Sequence, residues 1–508
     1  MIVLAGLVFG WVAVWHHRGE FSPDSYSYYD ISRTFGTEFG RISTIRQYVT
    51  KSDYNCSFPY VWPFLIFLTD TLTGLGMASG TVLNCLLMLL TAVSFCAVSR
   101  HFSGSLLCGA VTAFLLFCNA GYLEEAYAGR SIPLAILLTT GAVSFSCEFF
   151  LTKPKKYSTV ILIGMLAGLN AMTRFDEISI LTFLVPVVFL SAESGKRLKS
   201  VLLYGISAGV FLFPWCVYCM KHFGTPYFSD NNGTIWQVTA QVPSYVFLPE
   251  APVQTFWNAP AVWCRQMLQN TADTFRMAFS IAGNLLQMCL IFLIAGTYQS
   301  AKNVSEDLTI HKFFRILLPE NRRLWYLTGA VCLYTTAKLL LYALVGYILP
   351  RYETEPVFLL CFVLLLMLYR QFPSGKTGIL KLLVPAVLLL NSGRFTDRLT
   401  AGIKPDNSWI PELNTALTQN AESSSDSVLI LGRMEGFSFG ALTGWKTYVT
   451  PVNVSPETVD YLLSSYADAD WIALDRTEFP EIHEMLSQRC QRTEYQAFFL
   501  YHISENGG

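Results

Sequence analysis

Apolar residues in this chain fall in long unbroken runs rather than in amphipathic alternation. The runs lie near 1–15, 81–98, 105–118, 131–150, 157–173, 178–191, 200–220, 280–297, 325–347, 356–369 and 379–391, with a shorter one at 58–68. A bilayer core about 30 Å thick is crossed by about 20 apolar residues in helical form. Helices satisfy their own backbone groups, so they suit a solvent that offers no hydrogen bonds. The pattern predicts a mainly α, polytopic membrane protein with about eleven transmembrane helices. The run at 1–15 has no basic flank before it, and it reads as a transmembrane helix rather than a signal peptide.

The polar loops between the runs alternate in character. One set, 99–104, 151–157, 192–200, 298–323 and 370–381, is about threefold denser in Lys and Arg than the other. That asymmetry predicts that the basic set is cytoplasmic. The opposite set, 16–59, 119–130, 174–177, 221–279 and 348–355, then lies outside with the C-terminal tail. Two of these outer loops, 16–59 and 221–279, are long and rich in acids, Tyr, Trp and Phe. Long ordered loops usually carry function, so the working surface is expected on the outer side.

Past residue 395 the pattern changes. A transmembrane domain over 1–395 is followed by a tail, 405–508, of short alternating elements. Strands are expected at 427–432, 445–450, 470–475 and 496–503, with helices at 456–466 and 480–489. These predict a small α/β extracytoplasmic domain. The tail has no glycine-rich phosphate loop and no metal-ligand spacing.

Composition agrees. Of 508 residues 52% are hydrophobic and only 14% charged, with a mean hydropathy of +0.40. Soluble domains carry about 25% charged residues. With 35 basic against 36 acidic residues the net charge is −1, so no basic face dominates, which argues against a nucleic-acid binder. Most of the 13 cysteines sit inside apolar runs, where they act as small hydrophobes, and this includes the pair Cys216 and Cys219.

Candidate chemistry clusters in the outer loops. Asp24 opens the stretch PDSYSYYDIS; helical spacing puts Tyr28 and Ile31 on a membrane-facing side with Asp24 at the N-terminal end, where it is either functional or a helix cap. Glu124 and Glu125 lie in NAGYLEEAYAGR, either as a site or as a solvated pair, and Arg130 ends that loop, free to snorkel or to bind phosphate. Arg174, Asp176 and Glu177 form the turn TRFDE, which can also satisfy itself as an ion pair. Arg351 lies in YILPRYETEP beside Tyr347 and Tyr352, a setting for an anionic lipid head group or an interfacial anchor. Lys338 is the basic residue deep in an apolar run: it is a functional candidate, or it pairs with a neighbouring helix, for instance with Glu148, or it marks a misplaced boundary. His16 and His17 are weak evidence for a metal.

In order, these pieces resemble the GT-C superfamily of integral-membrane glycosyltransferases, in particular the bacterial branch related to protein O-mannosyltransferases, aminoarabinose transferase and the Rgt-type sugar transferases. The likeness rests on Asp24 and Tyr28, on FPYVWPFLIFLTDTLTGLG at 58–76, on GLNAMTRFDEISI at 168–180, on FPWCVYCMKHFGTPYF at 213–228 and on ILPRYETEP at 348–356. Departures are Ser25, where many relatives have a second acid, and Ser27 and Ser57-Phe58-Pro59, where the aminoarabinose branch has basic residues.

The resemblance implies a polyprenyl-phosphate sugar donor and transfer to a hydroxyl of a lipid, glycan or protein acceptor. The reaction runs on the outer face of a bacterial inner membrane. Asp24 is then the catalytic base, and Glu124 or Glu125 sits near the sugar or an assisting divalent cation, with no obligatory cofactor. Arg351 meets the donor phosphate, with Arg130, Arg174 and Tyr352 in the same set and Arg33, Arg41 and Arg46 as further cations. A transporter or flippase of lipid-linked glycans, or a polymerase or ligase, is the alternative; the sequence shows no repeat of the transporter kind.

Overall fold

The computed structural model describes residues 1–46, 52–151, 155–227, 255–281, 322–346, 350–371, 407–421, 426–431, 436–449, 468–476 and 480–503, with a few isolated positions between 229 and 294. Along the chain run α1 (Ile2–His16), α2 (Pro23–Thr34), β1 (Ile45–Arg46), α3 (Val61–Thr73), α4 (Ala78–Ser103), α5 (Leu107–Phe117), α6 (Ala120–Tyr127), α7 (Ile132–Leu151) and α8 (Tyr157–Ala171). A 3-10 turn at Phe175–Glu177 leads to α9 (Ile178–Ser191), α10 (Arg197–Phe223), α11 (Pro260–Ile281), α12 (Arg322–Val345) and α13 (Pro350–Gln371). The tail holds α14 (Trp409–Asn420), β2 (Ser427–Leu431), α15 (Gly436–Thr443), β3 (Lys446–Val449), β4 (Trp471–Asp475), α16 (Pro480–Arg489), β5 (Gln491–Glu494) and β6 (Phe498–His502).

Among the described residues five helical stretches are long and apolar enough to cross a membrane: Ala78–Ser103, Ile132–Leu151, Ser194–Phe223, Tyr326–Val345 and Arg351–Tyr369. A sixth arises if α5 and α6, bent by 69°, form one broken span. α1, α3 and α8 are shorter apolar helices. The expected run at 379–391, the helix at 456–466, residues 230–254 of loop 221–279 and most of loop 298–323 lie outside the described residues.

Two compact units emerge. The first joins Met1–Gly19, Gly80–Val217 and Cys264–Gly402. Its core draws on α1, α4 to α9, α12 and α13, with side chains such as Phe95, Phe117, Ile163, Leu184, Leu339 and Leu365 at or near zero exposure. With lipid outside as apolar as the core within, close packing has to hold such helices together. Glycines supply it. A Cβ added at Gly168 would lie 2.5 Å from the Ala208 carbonyl oxygen, and one at Gly109 would lie 2.3 Å from that of Phe95. One boundary differs from the sequence expectation: 350–355 is not loop. Pro350 opens α13 at a position where its missing N–H costs nothing, so Glu353, Thr354 and Glu355 are buried helical residues.

The second unit joins Glu20–Ser79, Tyr218–Trp263 and Ile403–Gly508. Its six-stranded sheet has the order β1-β3-β2-β4-β6-β5, parallel from β1 to β4 and antiparallel beyond. Alternation sends Val428, Ile430, Trp471 and Ala473 to one face under α14 and α15. It sends Leu429, Leu431, Ile472 and Leu474 to the other face under α16. Both faces are covered, which explains the unbroken apolar reading of β2 and β4.

β1 comes from the first outer loop. The buried Asp30 carboxylate fixes it by accepting from the Thr44 amide (2.9 Å), the Thr44 hydroxyl (2.6 Å) and the Ile45 amide (3.0 Å). On α2, Tyr26, Tyr28 and Ile31 are buried within this unit rather than facing lipid, which corrects the membrane-facing expectation. Nor does Asp24 cap the helix. Ser22 does, in a reciprocal capping box with Ser25.

Candidate active site

α6 is short because the chain bends after α5 and restarts at Asn119, whose side chain caps it by accepting from the Tyr122 amide (3.0 Å). Gly129, at φ +70°, then turns the chain into α7, and it lies so close to Gly80 that a Cβ at Gly80 would sit 2.9 Å from the Gly129 carbonyl oxygen. Asn84 holds the turn by donating to the carbonyl of Arg130 at 3.0 Å. The tight turn brings the Arg130 guanidinium back over α6, 2.9 Å from Glu124 and 2.8 Å from Glu125. Glu125 is 1% exposed and Arg130 4%. Glu125 is therefore not a solvated carboxylate, and Arg130 does not snorkel: burial is matched by pairing.

The turn after α8 carries the second group. Arg174 grips Asp176 with Nε and Nη2 at 3.0 and 3.3 Å, so the ion-pair reading of TRFDE holds for these two. The Tyr342 hydroxyl also donates to Asp176, at Oδ2, at 2.7 Å. Burial alone would raise the Asp176 carboxyl; Arg174, Lys338 and the Tyr342 hydroxyl outweigh it and hold it below the ordinary aspartate range. Arg174 also lies over the Tyr352 ring, 5.1 Å from its centroid, and Arg351 donates to the Tyr352 hydroxyl at 3.1 Å.

Glu177 goes elsewhere. It meets Lys338, which also pairs with Glu355 at 2.5 Å. Lys338 does pair with neighbouring elements, but not with Glu148, which faces His101 at 2.8 Å. Burial raises the Glu177 carboxyl, and the charges of Glu355 and Asp176 raise it further against the pull of Lys338. Sequence reasoning missed Glu355, Tyr334 and Tyr342. The available signal was their spacing about Lys338, since Tyr334, Lys338 and Tyr342 recur every four residues within an apolar run.

Arg174 and Arg351 thus meet on the Tyr352 ring, while Arg130 is paired to Glu125. The structure thus brings Glu124, Glu125, Arg130, Arg174, Arg351 and Tyr352 into the first unit. Asp24 belongs to the second unit, part-exposed in the first turn of α2. There Arg41 is an exposed partner of Glu38 at 3.3 Å.

No protein-family model matches the chain, and no curated protein matches it. Solved structures do. ArnT from Cupriavidus metallidurans, bound to undecaprenyl phosphate, is 12% identical with a TM-score of 0.57, over 99% of this chain and 98% of that one. The Archaeoglobus fulgidus oligosaccharyltransferase in complex with Zn and sulfate is 12% identical with a TM-score of 0.61, over 100% of this chain and 74% of that one. Arabinofuranosyltransferase AftD from Mycobacteria is 11% identical with a TM-score of 0.52; the match takes in 100% of this chain but 40% of that one. The fold is that of the GT-C glycosyltransferases.

Within this GT-C fold the described residues do not assemble a cation site. Glu124 and Glu125 are both paired to Arg130, and among the described residues no group of three or more His, Cys, Asp or Glu is placed to hold a metal ion. His17 instead stacks on Tyr127, with ring centroids 5.1 Å apart.

Proposed function

We propose that the chain is a membrane glycosyltransferase that moves a sugar from a polyprenyl-phosphate carrier to an acceptor hydroxyl on the extracytoplasmic face. The observation that carries this reading is the convergence of Arg174 and Arg351 on Tyr352 in a GT-C fold: Arg174 lies over the ring and Arg351 donates to its hydroxyl. Solved neighbours bear undecaprenyl phosphate and dolichol phosphate.

The chemistry is direct. The leaving group is an anionic lipid phosphate, so it needs cations rather than a proton. Arg351 stands in the first turn of α13, where guanidinium and helix N-terminus both favour an anion, and Tyr352 adds a hydroxyl. Arg130 and Arg174 are paired to Glu124, Glu125 and Asp176, so in this reading Arg351 supplies the charge that meets the phosphate. The attacking hydroxyl needs a base, and Asp24 is assigned to it. Attack on the face opposite the phosphate inverts the sugar. The outer loops and the C-terminal sheet lie outside the cytoplasm in this reading, and the membrane is a bacterial inner membrane. The acceptor is a hydroxyl of a lipid, glycan or protein.

The test is to incubate the purified full-length protein with a panel of polyprenyl-phosphate sugars and candidate acceptors, and to weigh the products. Transfer from at least one lipid donor, with release of the polyprenyl phosphate, is expected. Lipid-linked sugar that only changes leaflet in proteoliposomes, with no bond broken, would sink the assignment.

A further inference from the structure

α12 carries a polar stripe that the proposed chemistry leaves unused. Tyr334, Lys338 and Tyr342 are four residues apart and share one face. Lys338 is 1% exposed and pairs with Glu177 and Glu355. The Tyr334 hydroxyl donates to Glu355 at 3.0 Å and lies 3.2 Å from Glu177. Asn170 donates to Glu177 at 3.1 Å. Thr335 donates to the Pro356 carbonyl at 3.0 Å, so α12 is also stitched to the α13 backbone.

Ionisable groups in a membrane span are expensive, and apolar side chains of like size would hold helices together as well or better. The cluster is therefore explained by what it joins. Glu177 follows Arg174 by three residues on one short turn. Glu355 follows Arg351 by four, one helical turn along α13. Arg174 and Arg351 both lie over the Tyr352 ring, 5.1 and 4.9 Å from its centroid. Tyr342, on the same stripe, holds Asp176, the partner of Arg174.

We propose that Lys338 is a positioning residue for the phosphate-binding Arg351. Its ammonium clamps the turn that carries Arg174 to the helix start that carries Arg351, and so fixes the separation of the two guanidinium groups. It touches no substrate. The proposal rests on the assignment of Arg351 to the donor phosphate.

The test uses the full-length protein in lipid nanodiscs, with undecaprenyl phosphate as the probe. Its dissociation constant is read with the melting temperature and with KM and kcat for transfer. Lys338→Met together with Glu177→Gln and Glu355→Gln removes the charges as a group and leaves none stranded. The expected result is a triple variant that melts close to wild type but binds undecaprenyl phosphate about tenfold or more weakly, with the donor KM raised more than kcat is lowered. A triple variant that melts and binds like wild type overturns the positioning role and leaves the functional reading intact. If the triple variant does not fold, Lys338→Arg decides by the same affinity: a shifted constant supports the clamp and an unchanged one overturns it. A wild-type protein that neither binds undecaprenyl phosphate nor transfers sugar overturns the functional reading, and the clamp falls with it.

Discussion

Arg130 and Glu125 lie 2.8 Å apart, joined across a five-residue turn and both withdrawn from solvent. Removing one partner of such a pair strands the other charge. Arg130→Met is expected to cost about 3–5 kcal/mol of stability, while Arg130→Met with Glu125→Gln recovers most of it. Thermal unfolding of the purified variants followed by tryptophan fluorescence checks this. Equal losses in the single and double variants would show that the pair is not what holds the turn.

Two aspartates six residues apart on α2 are expected to fail in different ways. Asp24 is assigned as the base, so Asp24→Asn should lower the transfer rate by about 10²–10⁴ with melting unchanged. Asp30 accepts three donors from Thr44 and Ile45 and is fully buried. Asp30→Asn points an amide N–H₂ at donors, and about 1–3 kcal/mol of stability should go. Rates and melting temperatures of the two variants, side by side, make the comparison. Full activity in Asp24→Asn removes Asp24 from the mechanism.

The helices of the first unit were legible because a span must be a long apolar run, and the run is visible in the chain. α4, α7, α10 and α12 therefore match the expected runs to within a few residues at most ends. β2, β4 and α16 were legible for a similar reason, since a strand covered on both faces reads as a short apolar block. What escaped was long-range pairing. β1 is two residues of a loop, and nothing in Ile45–Arg46 foretells a parallel ladder with Thr447 and Tyr448. Charge partners escaped likewise. Lys338 was visible as a buried cation, yet its partners stand 161 and 17 residues away, and only the packing of α12 against its neighbours selects Glu177 and Glu355 over Glu148.

Helix packing offers a test independent of function. Gly168 lies against the α10 backbone, whereas Gly209 has nothing within 4 Å of an added Cβ. Gly168→Val must push α8 from α10 and is expected to cost about 1–3 kcal/mol. Gly209→Ala should cost nothing, since alanine is the better helix former. Melting temperatures in one detergent compare them, and a tolerated Gly168→Val would mean that the close approach of α8 and α10 at that glycine does not hold the two helices together.

The turn that carries Arg174 should respond to pH in both directions. Glu177 is held above the ordinary glutamate value of about 4.3, by burial first and then by Glu355 and Asp176. Between that ordinary value and its raised one, the folded protein keeps a proton that the unfolded chain has released. Stability from Glu177 is therefore full below the unfolded value and is lost as pH climbs through the folded value. Asp176 is held low, because Arg174, Lys338 and Tyr342 overcome the effect of burial. Its contribution is present above the ordinary aspartate value and fades as pH falls below it. The wild-type melting temperature should therefore decline on the alkaline side of the glutamate range, and Glu177→Gln should flatten that decline while leaving the acid side alone. Asp176→Asn should flatten the acid side and, since the Asp176 charge helps to raise Glu177, also lessen the alkaline decline. A Glu177→Gln protein with the wild-type alkaline slope would place the responsible proton on another group.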